Sequence, residues 1–281
     1  MPQFSIRKTS VTMRIAMKLG NSKELESLRD YDGPFRYYEL PARFLKKEKE
    51  LVIELARRGL HFNIHGPSMY SWEMSDQLIE DSRSYLDMCE EVGCKNFILH
   101  GLTFQDDRQK INEIMMETLC VIKDHAEIRG IKCLLENGCF FGKTSRKSFE
   151  VPSDPEDHAN IARTIGLGIV LDLGHAALSA RWYGRKMSEF FSSYNMKQCT
   201  PEIIHLSDNF LESDDHMAIG EGGSDIDDFQ RAMDFWPDSL MTVENFPGEI
   251  HKSLKWLAKR AQKDYEMSDI VDLCRLMSWD F

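Results

Sequence analysis

Eight short apolar runs punctuate the chain at intervals of roughly 22 to 38 residues. They are MRIAMKLG (13–20), FRYYELP (35–41), HFNIHGP (61–67), NFILHG (96–101), KCLLENG (132–138), GIVLDLGH (168–175), IIHLSDN (203–209) and LMTVENFP (240–247). Most are too short for helices, several are β-branched, and most end at Gly, Pro or Asn, as strands buried on both faces do. The spacing is that of βα units. Amphipathic patterns predict helices over 44–60, 73–92, 105–130, 226–236 and 249–263. Gly93 and Gly130 close two of them, as helix C-termini favour. No linker or low-complexity tract interrupts the 281 residues. Eight alternating units in one α/β domain, 1–281, predict a (β/α)₈ TIM barrel over an open doubly wound sheet.

Composition narrows the partners. A net charge of −11 weighs against a broad nucleic-acid-binding face, although a local basic rim can still hold phosphates. The seven cysteines are odd in number and form no CxxC pair, which suits a reducing compartment. The start, MPQFSIRKTSV, lacks the apolar core of a signal peptide. No apolar run approaches the ~18 residues of a membrane span. A soluble cytoplasmic protein with no membrane partner is expected; oligomeric state is not legible.

The polar residues at the strand ends carry the chemistry. Of nine histidines, His65, His100, His175, His205 and His216 lie at or just beyond those ends. Glu39, Glu136, Asp172 and Glu244 occupy equivalent places, with Asp214 in the loop DDHMAIGEG. In a parallel barrel all these ends open onto one face, where barrel active sites are built. A lone histidine near a strand is ordinarily a hydrogen-bonded structural residue. Carboxylates inside apolar runs are harder to dismiss, because burying an unpaired charge is costly. Glu136, Asp172 and Glu244 each follow three or four apolar residues, and the imidazoles beside them point to a transition metal. The donors His65, His100, Glu136, Asp172, His175, His205, Asp214, His216 and Glu244 exceed one four-coordinate ion. They suit two or three divalent ions, zinc foremost, with manganese or iron also accepted. Paired metals stabilise the attacking and leaving oxygens of phosphoryl displacement.

These motifs resemble the endonuclease IV branch (AP endonuclease family 2) of the xylose-isomerase-like barrels. FNIHGPSMY is similar to that family's strand-three motif, and FILHG to its strand-four histidine. LLENG, LDLGH and IIHLSD resemble those of strands five, six and seven, DDHMAIGEG the Asp-x-His loop, and TVENFP the final glutamate. The resemblance runs in order from about residue 61 to 247. It implies that the nine donors hold a trinuclear zinc-type cluster and that the reaction is phosphodiester hydrolysis beside an abasic site in DNA. Glu136 would bridge two ions, Glu244 would bind metal and orient the nucleophile, and His175, Asp214 and His216 would hold the third ion.

Strands one and two depart from that branch. Where it has a histidine and a basic DNA-facing motif, this chain has AMKLG and YELPARF. The sister branch of sugar and sugar-phosphate isomerases and epimerases gives the alternative. There one ion on the counterparts of Glu136, Asp172, His205 and Glu244 polarises a carbonyl, while the two glutamates exchange a proton. Glu39 is a feature of that branch. Its single ion has no need of Asp214 and His216. Candidate substrate contacts are Glu39, Tyr70 of SMYSW, Lys143 of GKTSRKSF, and Arg181, Trp182 and Arg185 of ARWYGRK. The last two segments are expected as loops on the active face. Basic residues interleaved with aromatics suit stacking plus phosphate contact.

Overall fold

In a computed structural model the chain is described over residues 13–68, 70–104, 108–141, 148–246, 249–260 and 266–279. Eight parallel strands close into a barrel in sequence order. They are Arg14–Lys18, Tyr37–Pro41, His61–His65, Asn96–Leu99, Lys132–Glu136, Gly168–Asp172, Ile203–Leu206 and Leu240–Val243, here strands one to eight. Each lies within one of the eight apolar runs. Strand eight pairs with strand one, Arg14 opposite Leu240 and Met17 opposite Val243, so no edge remains.

Among the described residues, ten helices accompany the strands. The expected amphipathic segments form α2 (Leu45–Arg57), α3 (Ser75–Val92), α4 (Arg108–Ile128), α8 (Ile226–Phe235) and α9 (Ile250–Arg260). Residues 105–107 and 261–263 of two expected helices lie outside the described residues. Five helices were not anticipated: α1 (Ser22–Ser27), α5 (Pro155–Ile165), α6 (Leu173–Tyr183), α7 (Met187–Met196) and α10 (Met267–Met277). The first eight residues of α6 are all buried, so no polar face marks its period in the sequence. This corrects the expected ARWYGRK loop: residues 180–183 are the last turn of α6, capped by Gly184 at φ +65°.

A small antiparallel sheet stands on the barrel mouth beyond strands four and five, with Leu102–Phe104 and Phe140–Phe141 flanking Ser148–Val151. It is seated tightly. A Cβ on Gly101 would lie 1.4 Å from the Val151 carbonyl oxygen, so only glycine permits the approach. The cysteines are all free, and no described helix is long and apolar enough to cross a membrane.

Candidate metal centre

Strand pleating decides which side chains meet in the bore. Ala16, Ile98, Leu134, Val170, Ile203 and Leu240 form one buried apolar layer with Tyr37 packed on it, separate from the main core. Successive strand residues alternate faces, so the residue two positions on points the same way. Two positions on lie Lys18, His100, Glu136, Asp172 and His205, and Glu39 follows Tyr37 by the same step. Glu244 lies four beyond Leu240, and His65 two beyond the buried Asn63. The bore is therefore plugged by hydrocarbon, with a layer of ionisable groups stacked directly above it.

Each of the five histidines is fixed by one ring nitrogen. His65 Nδ1 faces the Gly66 carbonyl at 3.2 Å, His175 Nδ1 that of Asn137 at 2.9 Å, and His216 Nδ1 that of Glu244 at 3.0 Å. A carbonyl oxygen has no hydrogen to give, so these nitrogens donate. His100 Nδ1 likewise meets Glu150 Oε1 at 3.1 Å, and His205 Nε2 meets Glu39 Oε2 at 3.0 Å. The second nitrogen of every ring is left facing the site carboxylates. Outer partners of this kind set the tautomer of metal-bound histidines.

The second nitrogens gather in groups. His205 Nδ1 has Glu244 Oε2 at 2.7 Å, Glu136 Oε1 at 3.4 Å and Asp172 Oδ2 at 3.8 Å. Despite these distances, His205 Nδ1, Glu244 Oε2, both Glu136 oxygens and Asp172 Oδ2 are aligned on no hydrogen bond. Buried polar atoms aimed at a common space rather than at each other are the donor set of a cation. Asp172 Oδ1 is occupied, accepting from the His175 amide at 2.6 Å as the N-cap of α6. His65 Nε2 and His100 Nε2 stand 3.2 Å apart and 3.4 and 3.6 Å from Glu136 Oε2. Two imidazole nitrogens this close share either a proton or a cation. Asp214 Oδ2 lies 3.3 Å from His175 Nε2 and 3.0 Å from His216 Nε2, forming a third group. The donors of the first two groups lie close enough together to hold divalent ions of the zinc type, whereas in the third Asp214 is engaged directly by the two histidines.

The third group hangs on the loop after strand seven, and Asp208 organises that loop. Its buried carboxylate accepts from the amides of Asn209 (2.8 Å), Gly220 (3.1 Å), Gly222 (3.0 Å) and Ser224 (3.2 Å). Asp208 and Met217 also exchange backbone hydrogen bonds.

Electrostatics follow from enclosure. Burial favours a neutral Glu136, but the charges of His100 and His205 hold its carboxyl well below the usual range. Burial likewise opposes ionisation of Glu244, and Lys18 with His205 outweighs it. At Asp172 burial prevails and pushes the carboxyl up to about 6. Burial would lower His216, yet its bond to Asp214 and the charge of Glu244 raise it to about 9. His175 and His205 are raised the same way by surrounding carboxylates.

A cleft of about 850 Å³ opens over the ends of strands one, two, three and eight, lined by Lys18, Arg43, His65, Tyr70, Glu244 and Phe246 among others. Tyr70 is on its wall, its hydroxyl donating to Asp81 at 2.5 Å. Glu39 is fully buried behind His205 and does not line the cleft. Arg181 donates to the Leu211 carbonyl at 2.9 Å, and Trp182 stacks on Phe140 with centroids 3.6 Å apart. Arg185 is ion-paired to Asp154 and Glu189. None of these three lines the cleft. Lys143, with the rest of 142–147, lies outside the described residues. Sequence reasoning passed over Lys18 and Glu150. The two-residue step from Ala16 would have found Lys18; Glu150 sits on the accessory sheet and carries no such signal.

Residues 25–260 match the sequence model of the xylose isomerase-like TIM barrel family. No curated protein matches the chain. Among solved structures, a D-tagatose 3-epimerase-like protein is 20% identical, with 89% of this chain and 97% of that one covered and a TM-score of 0.67. The IOLI protein with a bound zinc atom is 17% identical over 91% and 100% of the two chains, TM-score 0.66. Endonuclease IV from Thermus thermophilus is 15% identical over 90% and 100%, TM-score 0.64.

Proposed function

The chain belongs to the xylose isomerase-like TIM barrel family, and from that premise we propose that it is a metal-dependent phosphodiester hydrolase of the endonuclease IV type. One observation carries the reading. Beside the four donors Glu136, Asp172, His205 and Glu244, His65 and His100 converge on Glu136, and Asp214 meets both His175 and His216. A single ion on the first four leaves the other two groups without a role.

Formal charge is compatible with more than one ion. Glu39, Glu136, Glu150, Asp172, Asp214 and Glu244 bring six formal negative charges to this enclosure, and Lys18 brings one positive charge. Counted with neutral histidines, one divalent ion leaves three negative charges unmatched; protons held by His175 and His216 reduce these to one. Three ions leave the enclosure one charge positive, which suits an anionic phosphodiester and a transition state with more negative charge. Bound ions supply Lewis acidity and a water nucleophile active at neutral pH. Glu136, central to the first two groups, holds them in register. Glu244 remains ionised between Lys18 and His205 and orients what lies against the cleft. DNA with an abasic site is the substrate by resemblance.

The cleft itself favours a second reading, sugar or sugar-phosphate isomerisation with Glu136 and Glu244 exchanging a proton. Its volume falls within the ~300–1,000 Å³ range of small-molecule pockets. Elemental analysis of zinc-reconstituted protein, with assays on bis(p-nitrophenyl) phosphate and an abasic-site duplex, tests the proposal. Two or three ions per chain with hydrolysis uphold it. One ion per chain, with solvent-hydrogen exchange into a ketose, replaces it by the second reading.

A further inference from the structure

One cation of the centre cannot itself be a metal ligand. Lys18, at the end of strand one, donates through Nζ to Glu244 Oε1 and lies 3.9 Å from Glu39 Oε1, beyond hydrogen-bond reach. An ammonium has three N–H donors, and Glu244 takes one. Unlike Glu39 and His205, which are wholly buried, the Lys18 side chain is 20% exposed and forms part of the cleft wall. A counter-ion for Glu244 alone would need no opening to the cleft. With three divalent ions in place, the charge of Lys18 is also what turns the enclosure from neutral to positive.

We infer that Lys18 is a substrate-binding cation that holds an anionic phosphate oxygen on the cleft side of Glu244. The substrate is then an anion whose phosphate enters over strands one, two, three and eight, where Arg43 provides a second cation on the same wall and Tyr70 and Phe246 provide rings. This assignment rests on the multinuclear hydrolase reading and names the group through which that site takes its substrate.

Inorganic phosphate serves as the probe, titrated calorimetrically into the zinc-reconstituted full chain, with metal content measured on every sample. Lys18→Met is expected to keep the metal content of the unaltered protein and bind phosphate about ten- to a hundredfold more weakly, as loss of a charge-assisted hydrogen bond implies. Lys18→Arg is expected to regain most of the affinity. Equal phosphate affinity in fully metallated Lys18→Met overturns the inference. So does loss of metal from Lys18→Met, because Lys18 would then serve Glu244. If the unaltered protein takes up fewer than two ions, the hydrolase reading fails on its own. Phosphate binding that still depends on Lys18 would then uphold the anion-site assignment.

Discussion

Replacing Glu39 by Gln tests whether the centre is organised from behind. Glu39 Oε2 accepts from His205 Nε2 at 3.0 Å with neither side chain exposed, which leaves His205 Nδ1 as the free ligand atom. Glutamine has nearly the same volume, so the substitution removes a charge without opening a cavity. A hydrogen bond to a charged group contributes about 1.5–3 kcal/mol, most of which is lost when the acceptor becomes a neutral amide. At 1.4 kcal/mol per factor of ten, metal affinity at the His205 group should fall about ten- to a hundredfold. The amide can also turn its NH₂ towards His205 and favour the wrong tautomer, which acts in the same direction. Zinc competition against a chelator of known affinity measures the effect. Any ion held by His175, Asp214 and His216 should be retained at unaltered affinity, because none of them touches Glu39. Unchanged zinc affinity at all sites, with only KM altered, would refute this reasoning and return Glu39 to the substrate.

Other outcomes follow from the same geometry. In the metal-free protein His175, His205 and His216 hold protons above the ordinary histidine range, His216 to about 9, so zinc uptake at pH 7 should release protons. Calorimetry in buffers of different ionisation enthalpy would detect it, and uptake without release contradicts the protonated state. Burial lowers His158 from 6.5 to about 4, and its ring bonds to Tyr194 Oη at 2.7 Å and to the Leu135 carbonyl at 2.9 Å. A depressed histidine stabilises the fold above pH 6.5 and loses that stabilisation as pH falls towards 4, here by about 3 kcal/mol. Urea unfolding should therefore show the stability gap between the unaltered protein and His158→Gln shrinking by about that amount from pH 7 to 4, and a constant gap excludes it. Asp208→Asn turns an NH₂ group against amides that now meet an oxygen, so metal content should drop by one ion while the Glu136 group stays filled. Unchanged stoichiometry and melting temperature would remove Asp208 from the role of loop organiser.

The barrel was legible because its strands are apolar on both faces and end at Gly, Pro or Asn, as NFILHG and KCLLENG do. The buried carboxylates were legible for a related reason: Glu136 in CLLENG has no local partner, so the run is anomalous unless something distant neutralises it. Helix α6 was hidden because burial on every side erases the period that marks a helix. Arg181 looked available for phosphate because its partner, the Leu211 carbonyl, is distant in sequence, as is Asp154, one of the two carboxylates paired with Arg185. Glu39 was legible as important but not as to role. Strand register places it in the bore, whereas its position behind His205 depends on the rotamers of both side chains.

Strands five to eight alone bring Glu136, Asp172, His205 and Glu244 together, so that part of the centre follows from barrel register and is equally compatible with isomerase and hydrolase chemistry. The third group does not follow from register. Asp214 and His216 belong to an irregular loop in which Leu211 and His216 adopt left-handed backbone at φ +63° and +45°. Such conformations in residues other than glycine cost about 1–3 kcal/mol each and persist only where their surroundings over-determine them. Here the surroundings do so. Asp208 fixes four amides, Met217 pairs with Asp208, and Asn245 Nδ2 donates to the Met217 carbonyl. The strained His216 is the residue whose Nε2 turns towards Asp214, and its Nδ1 is tied to the backbone of Glu244. An ion on Glu136, Asp172, His205 and Glu244 alone would not engage this arrangement. Strain held in place by a buried carboxylate, at a segment that the barrel does not dictate, is therefore a reason to test Asp214 and His216 for a functional role.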